Sequence, residues 1–142
     1  MGSIYFLLDG AEVSHFHQID CEEIWYFHEG CGLRITMIQD GQNGAEAPSC
    51  KPQITELLLG GDTASGQRAM VVIPKGAIFA SENLDPAGYS FVSCATAPAF
   101  SYEGFRLIRK AELKALCTQS ACGKTGLETP ADYEKLAHLA FE

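Results

Sequence analysis

The sequence predicts an all-β domain, an antiparallel sandwich or barrel followed by short C-terminal helices. Three observations carry that expectation. About the first hundred residues hold about eight short runs rich in alternating, β-branched and aromatic residues. Clusters of Gly, Pro, Asn and Asp cut these runs apart, the spacing of a sandwich or barrel rather than of alternating β-α units. After Phe105 the chain changes to good helix formers.

Taken in order, "SIYFLL" is a β-rich opening stopped by Asp9-Gly10. "EIWYFHEG" alternates and is full of aromatic residues, and "LRITMI" alternates before Asp40-Gly41. Residues 40–52 concentrate turn formers and read as a loop-like insertion. "ITELLLG", "AMVVIP", "IFASEN" and "YSFVSCATAP" complete the strand-like runs. "RKAELKALC" then reads as a helix with Leu113 and Leu116 on one side, followed by a break at 123–130. "TPADYEKLAHLAFE" starts a second helix, with Thr129 as N-cap, Pro130 at the first position and Asp132 in the first turn. Its Tyr133, Leu136, Ala137 and Ala140 form a stripe suited to packing on the sheet or on a partner subunit.

At 142 residues the chain is expected to be one domain with its own core. A net charge of −8 disfavours nucleic acid and anionic membrane as partners, since both would want a basic face. No apolar run reaches spanning length, and the start lacks the marks of a secretory signal, so a cytoplasmic location is expected. The cysteines at 21, 31, 50, 94, 117 and 122 contain no C-x-x-C pair and read as reduced thiols.

The chemistry concentrates in "SHFHQIDCEEIWYFHEG", Ser14 to Gly30. On a regular strand His15 and His17 would share a face with Cβ atoms roughly 6.5–7 Å apart. Two imidazoles at that spacing can converge on one metal, and Glu23 from the next strand could add a carboxylate oxygen. Glu23, Trp25 and Phe27 would share the other strand's inner face, giving an apolar pocket with a polar corner. His28 and His138 have no partner at ligand spacing and read as ordinary structural residues.

These residues resemble a cupin. Gly10, His15, His17, Glu23 and Gly30 follow the order of the first cupin motif, with spacers about a residue off around the histidines and the last gap matching. The second motif is echoed by Pro74-Lys75-Gly76 and Asn83, with Phe79 where the family's histidine ligand stands. The runs "SIYFLL", "SHFHQ", "EEIWYFHEG", "VVIPKG" and "GYSFVSCATAPAF" are similar to the cupin-5 group, described as sugar-epimerase-like and largely uncharacterised. That resemblance spans about residues 3–107. It implies a double-stranded antiparallel β-helix, the cupin jelly roll, over residues 1–107, with 108–142 as a helical extension of the same domain. It also implies a pocket inside the barrel and a homodimer.

Three departures from the family pattern stand out. The family's segment ahead of the opening strand is missing, so residues that would lid the pocket or exchange between subunits are expected to be absent. The family's Arg after the histidine is Gln18, and the family's shared histidine corresponds to His17 rather than His15.

The functional expectation is a small polar or sugar-like ligand in the barrel. An epimerase or isomerase would use His17 as base, with Glu23 orienting it and Tyr89 or Tyr102 as acid. Trp25, Phe27, Phe79 and Tyr89 would line the ligand site. One alternative is a metal-dependent enzyme, dioxygenase or isomerase, holding Fe, Mn, Ni or Zn on His15, His17 and Glu23. Phe79 weighs against it, and a site without cofactor is the preferred expectation. A non-catalytic binding cupin is the other alternative.

Overall fold

The structure, a computed structural model, describes residues 1–39, 53–118 and 129–142, and of 129–132 it describes the backbone alone. The turn-rich stretch expected at 40–52, most of the break at 123–130, the side-chain roles of Thr129, Pro130 and Asp132, and Cys50 and Cys122 lie outside the described residues.

Antiparallel strands dominate. They are β1 (Gly2–Asp9), β2 (Val13–Ile19), β3 (Glu22–Gly30), β4 (Leu33–Gln39), β5 (Gln53–Leu59), β6 (Met70–Ile73), β7 (Ile78–Asn83), β8 (Tyr89–Ala97) and β9 (Phe105–Leu107). One sheet has the order β1-β8-β3-β6 and the other β5-β4-β7-β2-β9. Two facing sheets whose neighbours are mostly non-consecutive in sequence make a jelly roll, the fold that the sequence predicts. Helices α1 (Lys110–Thr118) and α2 (Thr129–Leu136) follow. None of the helices among the described residues is long and apolar enough to cross a membrane.

Alternation along each strand creates two cores. Between the sheets lie Leu8, Trp25, Leu33, Ile35, Phe79 and Val92, all buried. The odd and even positions of β4 and β7 then divide: Ile35 and Phe79 point inward, while Ile38, Ile78 and Ala80 point outward. Those outward residues, with Phe16, meet Ile108, Leu113, Leu136 and Leu139 from the C-terminal segment. The expected helical stripe therefore packs on the sheet through Leu136 and Ala140, with Tyr133 half-buried beside them. Strand β9 is one that its sequence does not announce, because three residues are too few for a period to register.

Gly30, the glycine six residues beyond Glu23 in the first motif, has φ +110, and a Cβ there would sit 2.0 Å from the Tyr89 carbonyl oxygen. Only glycine fits where β3 ends against β8.

Candidate functional site

Strand β2 does not run regularly through its histidines. Ser14 pairs with Ser81 and His17 with Phe79, so β2 advances three residues while β7 advances two. This β-bulge places His15 and Phe16 together opposite Ala80 and breaks the alternation that would put both imidazoles on one face. Phe16 turns outward into the helical layer. His15 lies edge-on to Phe141, with ring centroids 5.8 Å apart, and its Nδ1 is buried without a partner. His17 packs instead at a tilt against Phe79 and Phe105, with ring centroids 4.2 and 5.6 Å away.

Nδ1 of His17 lies 2.7 Å from the His15 carbonyl oxygen. A carbonyl can only accept, so Nδ1 carries the proton and Nε2 keeps its lone pair. Burial holds the imidazole below its ordinary pKa of 6.5, which keeps it neutral. The expected orienting role of Glu23 is thus taken by the His15 carbonyl. No hydrogen bond or charge interaction joins Glu23 to His17 among the described residues.

Glu23 faces inward from β3 and is 9% exposed. Burial raises its carboxyl above the ordinary 4.5, and the neighbouring Trp25 indole and Cys94 thiol offset this only in part. Its own burial, and after that the same carboxyl, push the Cys94 thiol strongly up. Cross-strand register explains the grouping: Glu23 pairs with Thr96 and Trp25 with Cys94, so all four share one face. Two polar atoms here make no hydrogen bond of good geometry, the Trp25 indole Nε1 and the Thr96 hydroxyl, the latter lying near the Cys21 thiol. The indole N–H is near enough to favour the carboxylate but lacks the geometry of a hydrogen bond. Phe6 and Phe79 pack edge-on to Trp25 at 5.7 and 6.1 Å. Phe79 therefore touches His17 and Trp25, and it links the imidazole with the polar corner.

The other expected site residues divide. Phe27 is half-buried against the inner core, as alternation requires. Tyr89 stands on the outer face, where its hydroxyl donates to Glu29, and this removes it from the barrel interior. Its position follows from the alternation of β8, whose Ser90, Val92, Cys94 and Thr96 point inward. Tyr102 is 83% exposed, edge-on to Phe100 and Phe105 near the His17 end. A cleft of about 210 Å³ opens there, lined by Gln18, Lys75, Glu103, Phe105 and Arg106. Cys94, Thr96 and Phe105 are members of the site that sequence reasoning missed. The alternating "YSFVSCATA" would have placed the first two on one face, once β8 was known to pair with β3.

The expected donor set for a metal does not assemble. Among the described residues no three His, Cys, Asp or Glu side chains stand where they could hold one cation. The bulge accounts for it: His15 and His17 have different neighbours, and Phe79 fills the corner between His17 and the Glu23 side.

Comparison with known proteins fits this geometry. The family model described as Cupin superfamily (DUF985) matches residues 1–108. A crystal structure of a protein from Shewanella oneidensis is 34% identical, with a TM-score of 0.77 over 98% of this chain and 73% of that one. A hypothetical protein from Leishmania major is 29% identical, with a TM-score of 0.77 over 99% of this chain and 76% of its own. Oxalate decarboxylase from Bacillus subtilis, at 15% identity and a TM-score of 0.52 over 96% of this chain and 30% of that one, shares the fold alone. None of the curated proteins compared with the chain matches it.

Proposed function

The chain belongs to the Cupin superfamily (DUF985) family, and from that premise we propose that, as a homodimer, it binds a small polar, sugar-like molecule at the barrel end where His17, Glu23 and Trp25 gather around Phe79. The observation that carries this reading is the polar corner itself. Glu23 is buried beside an indole N–H and a hydroxyl that make no hydrogen bond of good geometry. Leaving such groups unsatisfied in a packed interior costs about 1–3 kcal/mol each, and a ligand's polar groups would recover it. Buried carboxyls with raised pKa in such surroundings cluster at functional sites.

Proton transfer within the bound ligand is the finer proposal. A neutral His17 with its Nε2 lone pair available is suited to act as a general base. The raised carboxyl of Glu23 is suited to hold or return a proton. Non-catalytic binding is the second reading, favoured by the placement of the tyrosines: Tyr89 lies outside the barrel and Tyr102 is largely in solvent.

Thermal-shift screening with sugars, sugar acids and nucleotide sugars tests binding, since a ligand of the folded state raises Tm. A broad library that leaves Tm unchanged would sink the proposal. For a ligand that binds, proton NMR in deuterated water separates the readings. Exchange of a ligand C–H for deuterium, lost in His17→Asn while the thermal shift remains, supports the base. Binding without exchange in the wild type supports the non-catalytic reading.

A further inference from the structure

The two sheets have apolar outer faces, and among the described residues only one is covered. The five-stranded sheet is roofed by the C-terminal segment, through Leu113, Leu136 and Leu139. On the four-stranded sheet, alternation sends Phe6, Leu8, Trp25, Val71, Ile73 and Val92 inward. Their neighbours in sequence, Tyr5, Leu7, Tyr26, Met70, Val72 and Phe91, therefore point outward from all four strands. The register agrees, pairing Leu7 with Phe91, Tyr26 with Met70, and both Tyr5 and Tyr26 with Ser93. Five of the six are between 38% and 74% exposed, and Phe91 is half-buried under Tyr5, with which it stacks at 5.4 Å. In a sheet with one face in water, such positions would ordinarily be polar.

We infer that this outer face is where a second copy of the chain docks, sheet against sheet. The inference rests on the proposed homodimer and assigns its surface. Three arguments favour that occupant. First, the five exposed side chains open on the order of 500 Å², taking about 200 Å² for a large side chain, before Ile24, Phe91 and the rim are added. A stable pair buries about 800 Å² per partner, while incidental contacts bury less than about 400 Å² each. Second, the centre of the face carries no Lys, Arg, Asp or Glu on a chain of net charge −8. Asp9 stands at one end and Glu22 at the other, Glu29 borders the patch opposite Phe91, and His28 packs against Tyr5 and Phe91 within it. A face with no carboxylate, lysine or arginine at its centre and an acidic rim suits neither nucleic acid nor an anionic membrane, whereas a centre free of carboxylates is what two acidic copies need in order to approach. Third, a sheet face composed of Tyr, Met and Phe has the residue types enriched at protein interfaces. Its match in shape is another sheet face, packed about 10 Å away. A two-fold axis would bring each patch onto itself.

The 142-residue chain is tested by sedimentation equilibrium at concentrations from about one to a few hundred micromolar, the range over which modest dimers dissociate. The wild type is expected to weigh as a dimer. Tyr26→Glu and Val72→Glu, placed on adjacent strands, should each raise the dissociation constant by at least about 100-fold. Ile54→Glu, on the edge of the other sheet, should leave it unchanged. Far-UV circular dichroism and Tm establish that the variants fold. Folded variants that remain dimers overturn the assignment to this face while leaving the homodimer standing. A wild type that stays monomeric at the highest concentration overturns both. Hydroxyl-radical footprinting of the wild type over the same dilution series is independent of any variant. Modification of Met70 and Tyr5 should rise as the dimer separates, and modification that ignores concentration overturns the assignment.

Discussion

At the scale of single residues, Glu23 and His17 carry opposite titration signs. Burial raises the Glu23 carboxyl above 4.5, so the folded chain holds that proton more tightly than the unfolded chain. The stability it contributes is therefore complete below the ordinary value and is lost as pH rises through the raised one. His17 is the reverse: burial lowers its pKa, and its share is complete above 6.5 and lost as pH falls through the lowered value. Glu23→Gln removes the charge and keeps the shape. The variant should melt about 4 °C above the wild type at pH 7, corresponding to about 1 kcal/mol, with a flatter Tm profile above pH 4.5. A variant that melts lower at pH 7 would mean that the ionised carboxylate is well held by its neighbours, and that burial does not destabilise it. Trp25, inward beside Glu23, was legible in the sequence through alternation alone. The tautomer of His17 was not, because the carbonyl that sets it belongs to a residue displaced by the bulge.

At the scale of elements, strands β1, β3, β4, β7 and β8 lie where alternation and turn residues put them. Their outer limits are marked by Gly, Asp and Pro, whose backbone preferences act locally. The bulge in β2 is different in kind. It follows from matching Ser81 and Phe79 across a long-range pairing, and no local pattern in "SHFHQ" records it. The metal expectation depended on that strand being regular. Helix α1 shows the opposite case, where the leucine spacing selected the packed side but not its partner. Leu113 is wholly buried against the outer face of the five-stranded sheet, while Leu116 is half-buried. Leu113→Ala should cost about 2–5 kcal/mol, and Leu116→Ala less, read as shifts in the urea midpoint. Because the second core joins the jelly roll to the C-terminal segment, we expect a single cooperative unit. Unfolding followed by fluorescence of Trp25, the chain's one tryptophan, should coincide with unfolding followed by far-UV circular dichroism. Separate midpoints would show that residues 108–142 unfold on their own.

At the scale of the whole molecule, charge opposes the association that the uncovered face favours. Each copy carries −8, and acidic groups flank the patch, so salt should screen repulsion without weakening apolar contact. The dimer dissociation constant is expected to fall several-fold between about 20 and 500 mM sodium chloride, a range over which the Debye length shrinks markedly. A constant that rises with salt would point to an interface built on ion pairs elsewhere. By itself the sequence determined the fold class, the family and the inward set of Glu23, Trp25 and Phe27, since these depend on short-range periodicity and ordered motifs. Only the tertiary structure decided which residues meet. It parted His15 from His17, set Phe79 between imidazole and indole, moved Tyr89 outside, and left one sheet face uncovered by the described residues. Each of those outcomes depends on register between strands far apart in the chain, and a one-residue shift in register exchanges inside for outside.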